Sequence, residues 1–176
     1  MGFLPSYYLA PISYYARLLR CPSVTIDVDA RYQKQTLHNR CWIASPNGPM
    51  ALTVPVVKAN KPGQLMRDIR ISEHGNWRHV HWNALTSNYG RTPFFEFYAD
   101  DFAPFYEKRW EFLVDYNQAL QEMVLEEIGS PSPLTLPPNG RGTPYYQLFS
   151  DRNGFLPDLS IVDLLFNLGP EALLYL

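Results

Sequence analysis

Only two cysteines, Cys21 and Cys41, occur in the 176 residues, and their separation matches neither a zinc-ligand spacing nor a disulfide framework. Both are expected as reduced, half-buried thiols. The common nucleotide-cofactor and hydrolase signatures are missing too. There is no Gly-x-Gly-x-x-Gly, no Walker-type phosphate loop, no Gly-x-Ser-x-Gly elbow and no His-Glu-x-x-His. No apolar run approaches the ~20 residues of a membrane-spanning helix. The opening Met1-Gly2-Phe3-Leu4-Pro5-Ser6 lacks the basic start of a signal peptide. The expectation is a cytoplasmic protein without a membrane span. Neither sign of charge prevails: 15 Lys and Arg stand against 17 Asp and Glu, a net charge of −2. That balance lacks the basic face that nucleic acid requires, so no nucleic-acid partner is expected.

What is present is apolar and aromatic. Hydrophobic residues make up 46% of the chain and Phe, Trp and Tyr 15%, which is too apolar for a disordered chain. The length fits one domain over residues 1–176. Within it we distinguish a core (1–129), a proline-rich connector (130–142) and a C-terminal segment (143–176) that docks on the core. Ile12, Tyr15, Ala16 and Leu19 recur at helical spacing behind Pro11, and a β-branched strand follows at residues 24–28. Residues 36–43 alternate, with Leu37, Asn39, Cys41 and Ile43 on one face and His38, Arg40 and Trp42 on the other. Ser45-Pro46-Asn47-Gly48-Pro49 predicts a turn, residues 51–57 a returning strand with Pro55 at an edge or bulge, and residues 66–71 a further strand. Helices are predicted from Asn76 to near Gly90 and from Phe94 to Phe105, with a break or kink at Pro104. A third is entered through an Asp115/Gln118 capping box, and a last one is capped by Ser160 with Asp163 and stopped at Gly169-Pro170. The fold class is α/β or α+β: a mixed sheet with an antiparallel meander, covered by helices, plus a C-terminal helical appendage. A parallel helix-strand start followed by an antiparallel edge is the specific expectation.

Three constellations carry candidate chemistry. Asp27 and Asp29, at a strand end, have the form of an Asp-x-Asp clamp that holds Mg²⁺ or Mn²⁺ against a diphosphate. The alternative is a pair of solvated or turn-capping carboxylates. Residues 31–40 place Arg31, Lys34, His38 and Arg40 among Gln33, Gln35 and Asn39. Cationic forks with amide donors suit a phosphate, carboxylate or sugar ligand; the alternative is a solvated strand face with ion pairs. Asn39, looking toward the apolar side, is either a structural hydrogen-bonder or a ligand contact. His74, His79 and His81 fall within eight residues, but on a helix His79 and His81 lie about 200° apart and cannot share one metal ion. His81 is the inward one, in a stripe with Trp77, Leu85 and Asn88. It is either a general base or acid near neutral pH or a core histidine with both nitrogens satisfied.

Several of these blocks, in this order, resemble the WbqC-like family of bacterial proteins. Tyr8-Leu9-Ala10-Pro11-Ile12-Ser13-Tyr14-Tyr15 is similar to the family's Tyr-x-x-Pro opening. Tyr32-Gln33-Lys34-Gln35-Thr36 with Asn39-Arg40 is similar to its Gln-Lys…Asn-Arg signature, and Leu52-Thr53-Val54-Pro55-Val56 to its strand. Trp77, His81-Trp82, Tyr89-Gly90 and Pro93-Phe94-Phe95 resemble its helical block. Phe155-Leu156-Pro157-Asp158-Leu159-Ser160-Ile161, Asp163 to Asn167 and Gly169-Pro170-Glu171 resemble its C-terminal signature. One departure stands out. Family members open with a short apolar strand that often carries His-Gln-Pro, where this chain has only Phe3-Leu4-Pro5-Ser6.

The resemblance implies a place in O-antigen and related surface-polysaccharide clusters, with a glycine (aminoacyl) transferase role suggested for some members. The leading expectation is therefore a transferase acting on a sugar, nucleotide-sugar or acyl donor. Lys34 and Arg40 would hold the anionic donor, Gln33 and Asn39 would orient it, His81 would take the proton from the attacking group, and Trp77 and Tyr89 would wall the pocket. The alternative is a non-catalytic protein of the same pathway that binds a ligand or partner. No cofactor and no oligomeric state follow from the sequence.

Overall fold

The computed structural model describes residues 2–21, 23–58, 63–129 and 143–176; the proline-rich connector expected at 130–142 lies outside them. Strand β1 (Gly2–Pro5) leads through helix α1 (Ile12–Arg20) into β2 (Val24–Asp27), and the two strands pair in parallel, Leu4 opposite Ile26. Parallel neighbours need a crossover, and α1 supplies it. Its Ile12, Tyr14, Tyr15 and Ala16 are buried. Phe3 and Leu4 thus stand in a paired strand.

A hairpin follows, β3 (Arg40–Ser45) and β4 (Gly48–Thr53), joined by the two-residue turn Pro46-Asn47. Gly48 takes φ +107, a backbone conformation that strains residues with a side chain. Cys41 and Ile43 point into the core while Trp42 lies exposed. The expected mixture of helix and sheet, with antiparallel strands, is present, but as two separate two-stranded sheets, β1-β2 and β3-β4, among the described residues. The meander's expected third strand is different in kind. Residues Met66–Asp68 form a 3-10 turn closed by the Asp68 N–H on the Leu65 carbonyl, flanked by isolated bridges Arg31–Leu65 and Val56–Ile71. Met66 and Ile69 are both buried, a spacing of three that an extended strand cannot place on one face.

Helices α2 (Trp77–Tyr89), α3 (Phe95–Glu107) and α4 (Leu113–Ile128) pack the other side of the core. α3 runs through Pro104 to Glu107, correcting the expected break. Buried Phe102 and Tyr106 hold the last turn against a proline cost of roughly 3 kcal/mol. Asp115 lies inside α4, behind its N-cap Phe112, and does not cap it.

The C-terminal segment carries α5 (Ser150–Asn153), α6 (Ile161–Leu168) and a 3-10 stretch to Tyr175. It is stitched in by backbone: Ser160 N–H donates to the Trp42 carbonyl at 2.8 Å and Ile161 N–H to that of Ala10 at 2.9 Å. Ser160 precedes α6 as expected, but its hydroxyl donates to the Leu9 carbonyl at 2.7 Å and does not cap the helix. Phe166 then reaches the centre of the core, with ring centroids 5.1–5.3 Å from Tyr89, Phe95 and Phe102. No helix among the described residues is long and apolar enough to cross a membrane.

Candidate functional site

The first turns of α2 bring His81 inward, 3% exposed. Its Nε2 lies 3.1 Å from the Thr53 carbonyl and its Nδ1 2.9 Å from the Tyr8 hydroxyl. A carbonyl only accepts, so Nε2 carries the proton and Nδ1 accepts from Tyr8. Tyr8 has then spent its one proton, and Tyr106, 2.9 Å away, must donate to it. Burial lowers the His81 pKa to about 4, against a smaller upward pull from the Thr53 carbonyl. The same burial raises Tyr8 well above the ordinary phenol range, with Tyr106, Tyr116 and Cys41 adding to it. This is a neutral, closed relay. Both imidazole nitrogens are committed inside the fold, the arrangement of a core histidine with satisfied nitrogens.

A cavity of about 230 Å³ is lined by Tyr32, Lys34, Gln35, Asn39, Val56 and Lys58. The chain reaches it by turning. Thr36 Oγ1 donates to the Gln33 carbonyl at 2.8 Å, and the Asn39 N–H returns to that of Thr36 at 3.2 Å. Asn39 ends this turn 4% exposed, its Nδ2 on the Val54 carbonyl at 2.9 Å, while its Oδ1 is buried with no hydrogen-bond partner. Such a group costs roughly 1–3 kcal/mol. The Tyr32 hydroxyl is likewise buried and unpartnered, and burial pushes its pKa up to about 12. Neither Lys34 nor Lys58 forms an ion pair among the described residues. The lining therefore combines two cations and the apolar Val56 with an amide and a phenol whose oxygens are buried and find no partner among the described residues.

Of the expected site residues, the structure brings Lys34 and Asn39 to one cavity. Arg40 and His81 meet on Thr53 instead, Arg40 through its Nε on the Thr53 hydroxyl at 2.8 Å. Gln33 is exposed and engages through its backbone N–H on His38 Nδ1, 3.2 Å. Trp77 and Tyr89 are not among the residues that line this cavity. Trp77 is packed against His81 and Tyr116, at 5.1 and 5.7 Å between ring centroids. Tyr89 is buried, donating to Asp163 and accepting from the Ala44 N–H. Asp27 Oδ1 accepts the Asp29 N–H at 3.1 Å, and Asp29 pairs with Arg67 at 2.7 Å. These aspartates are turn-capping and ion-paired. No group of three or more potential ligands gathers for a metal among the described residues.

Sequence reasoning missed three things. His38, assigned to the outer strand face, is buried between the Tyr7 and Tyr32 rings because β3 begins only at Arg40. Burial lowers its pKa. Val56 and Lys58 come to the cavity from beyond Pro55, and no spacing signal announces them. Asp163, read as a helix cap, is a fully buried carboxylate that accepts from Tyr89 (2.8 Å), Tyr145 (2.5 Å) and Gln147 (3.0 Å). Its pKa is raised by burial, which outweighs the three donors.

The turn that carries Tyr32 to Asn39, the Thr53-Val54 junction and the His81 helix all lie in the stretch that relatives share. The sequence model of the WbqC-like protein family matches residues 6–137, and the chain belongs to that family. The C-terminal blocks from Phe155 onward lie beyond the matched stretch. An uncharacterised protein of Mycobacterium tuberculosis, Rv1507c, is 26% identical over an alignment of 196 residues that covers 84% of this chain and 84% of that protein. No solved structure matches the chain.

Proposed function

We propose that the cavity beside Asn39 binds an anionic sugar, nucleotide-sugar or acyl donor, and that the protein acts as a transferase of that donor in surface-polysaccharide assembly. One observation carries the reading: a buried carboxamide oxygen that finds no partner among the described residues, on a residue lining a cavity whose two lysines form no ion pair among those residues. Asn39 Oδ1 accepts only, so it calls for an O–H or N–H on the ligand. Lys34 and Lys58 call for phosphate or carboxylate. A sugar phosphate or an aminoacyl phosphate has both. The pathway and the transfer step are supported by the family resemblance alone.

A second reading has its own observation. Both nitrogens of His81 are spent within the fold, so no base approaches the cavity from α2. The protein then binds the same ligand without turning it over. His38, stacked on Tyr32, is the imidazole that borders the cavity wall.

A thermal-shift panel of nucleotide-sugars, sugar 1-phosphates and acyl thioesters tests the shared claim. A ligand at a hundred times its Kd stabilises by about 2.7 kcal/mol, which for a chain of this length raises the melting temperature by roughly 5–10 °C. Lys34→Ala and Lys58→Ala are each expected to weaken the hit about tenfold, or about 1.4 kcal/mol. A hit indifferent to both substitutions, or no hit at all, contradicts the assignment. Consumption of the bound donor then separates transferase from binder.

A further inference from the structure

Between the start of α2 and the end of α3 lies a second cavity, about 280 Å³, lined by Asn76, Arg78, His79, Trp82, Tyr106 and Glu107 together with Ala103. It shares no residue with the cavity beside Asn39. We propose that it binds a neutral, hydroxylated ring, a sugar without charge.

Its floor is aromatic. Trp82 is half-buried and stacks on Tyr106, with ring centroids 5.7 Å apart and planes 28° from parallel; Phe95 lies 6.0 Å from it. Packed from behind, the indole is held rigid at the cavity, and a rigid aromatic face costs little entropy to use in binding. The flat side of a sugar ring, with its C–H bonds, is a match for such a face.

The rim is polar and short-ranged. Asn83 Nδ2 donates to His79 Nε2 at 2.9 Å, which leaves Nδ1 of the neutral ring as the donor. Asn76 and Glu107 make no side-chain hydrogen bond among the described residues, so an amide and a carboxylate stay open to hydroxyl groups. A carboxylate takes two hydroxyl donors at once.

Charge decides the class. Arg78 is held in a two-pronged pair with Glu73, at 2.6 and 2.7 Å, and its guanidinium lies 5.7 Å from the Trp77 ring. The pair occupies the Nη1/Nη2 edge of the guanidinium and offsets its charge, which weakens its pull on a phosphate. Glu107, without an ion-pair partner among the described residues, disfavours an anion. An anion is unwelcome here, and hydroxyl groups match the amide and carboxylate of the rim, whereas the Asn39 cavity with its two lysines asks for an anion. The two cavities therefore sort ligands by charge.

Saturation-transfer NMR with purified protein tests this, using methyl glycosides of glucose, galactose, N-acetylglucosamine and rhamnose, each at about 10 mM for an affinity in the millimolar range. Transfer to the ring C–H protons of at least one glycoside is expected. Trp82→Ala is expected to weaken it at least about tenfold. Glu107→Gln, at an exposed position that leaves the core intact, weakens it several-fold. Lys34→Ala leaves it unchanged, so this inference can fail while the donor assignment stands, and the reverse. Absence of transfer from all four glycosides overturns the proposal, as does full signal in Glu107→Gln and Trp82→Ala together. Transfer to uridine without transfer to any glycoside overturns it in favour of a nucleobase.

Discussion

Replacing Asp163 with alanine lowers the melting temperature by roughly 10 °C. The carboxylate is fully buried and takes hydrogen bonds from Tyr89, Tyr145 and Gln147, three side chains spread from α2 to the segment before α5. Alanine strands the Tyr89 and Tyr145 hydroxyls, while Gln147 Nε2 keeps the Leu156 carbonyl at 2.9 Å and the Tyr145 hydroxyl at 3.1 Å. Each of the two costs roughly 1–3 kcal/mol when buried without a partner, so the sum is at least about 2 kcal/mol and centres near 4 kcal/mol. For a chain of this size, 1 kcal/mol moves the midpoint by about 2–4 °C. Asp163→Asn keeps the volume but points an amide N–H₂ at a donor, and it is expected to fall between wild type and alanine. Urea unfolding of the three proteins at pH 7 checks the order. A loss under about 1 kcal/mol for alanine would show that the network does not hold the C-terminal segment.

His81 makes the second large effect, and it appears with pH. Its folded pKa of about 4 lies below the unfolded 6.5. Between those values the unfolded chain binds a proton that the folded chain refuses, so stability falls as pH falls through that window. Taken from pH 7 to pH 4, the loss is about 3 kcal/mol. His38, also lowered by burial, pulls the same way. Asp163 opposes them. Its folded pKa is raised, so its contribution is greatest below the unfolded value and is lost as pH rises through the folded one. The His81 part is isolated by difference. His81→Gln removes the titration, and the gap in unfolding free energy between wild type and variant should move by about 3 kcal/mol over that range. A gap constant with pH would mean that the imidazole protonates freely in the folded protein and that the closed relay with Tyr8 and Thr53 is wrong.

Local periodicity accounts for most of the fold that could be read in advance. The helices at Ile12–Arg20, Trp77–Tyr89, Phe95–Glu107, Leu113–Ile128 and Ile161–Leu168 all announce themselves through apolar spacing, and the hairpin through its Pro46-Asn47-Gly48 turn. What failed was decided by partners far along the chain. Phe3 and Leu4, too brief to show a period of their own, form a strand because β2 runs beside them. Met66, Ile69 and Ile71 are apolar enough for a strand, and become a turn because the backbone of Val28 and Ala30 takes the Arg67 and Met66 N–H groups. Of the site, Lys34 and Asn39 were legible as a polar cluster beside an apolar strand. Extending the strand period back past Arg40 put His38 on the wrong face. Ser160 and Asp163 carry a capping spelling, yet Asp163 finds Tyr89, 74 residues away in sequence, which no local pattern encodes.

The most direct measurement is a ¹⁵N–¹H NMR titration of the labelled protein with glucose 1-phosphate and UDP-glucose, following the Asn39 side-chain amide. A ligand held by Lys34, Lys58 and the orphaned Asn39 oxygen shifts that amide together with the backbone N–H groups of Tyr32, Lys34 and Lys58, and the shifts vanish in the Lys34→Ala, Lys58→Ala double variant. Shifts confined to the Trp82 cavity, or none from either probe at millimolar concentration, would contradict the assignment of an anionic donor to this site.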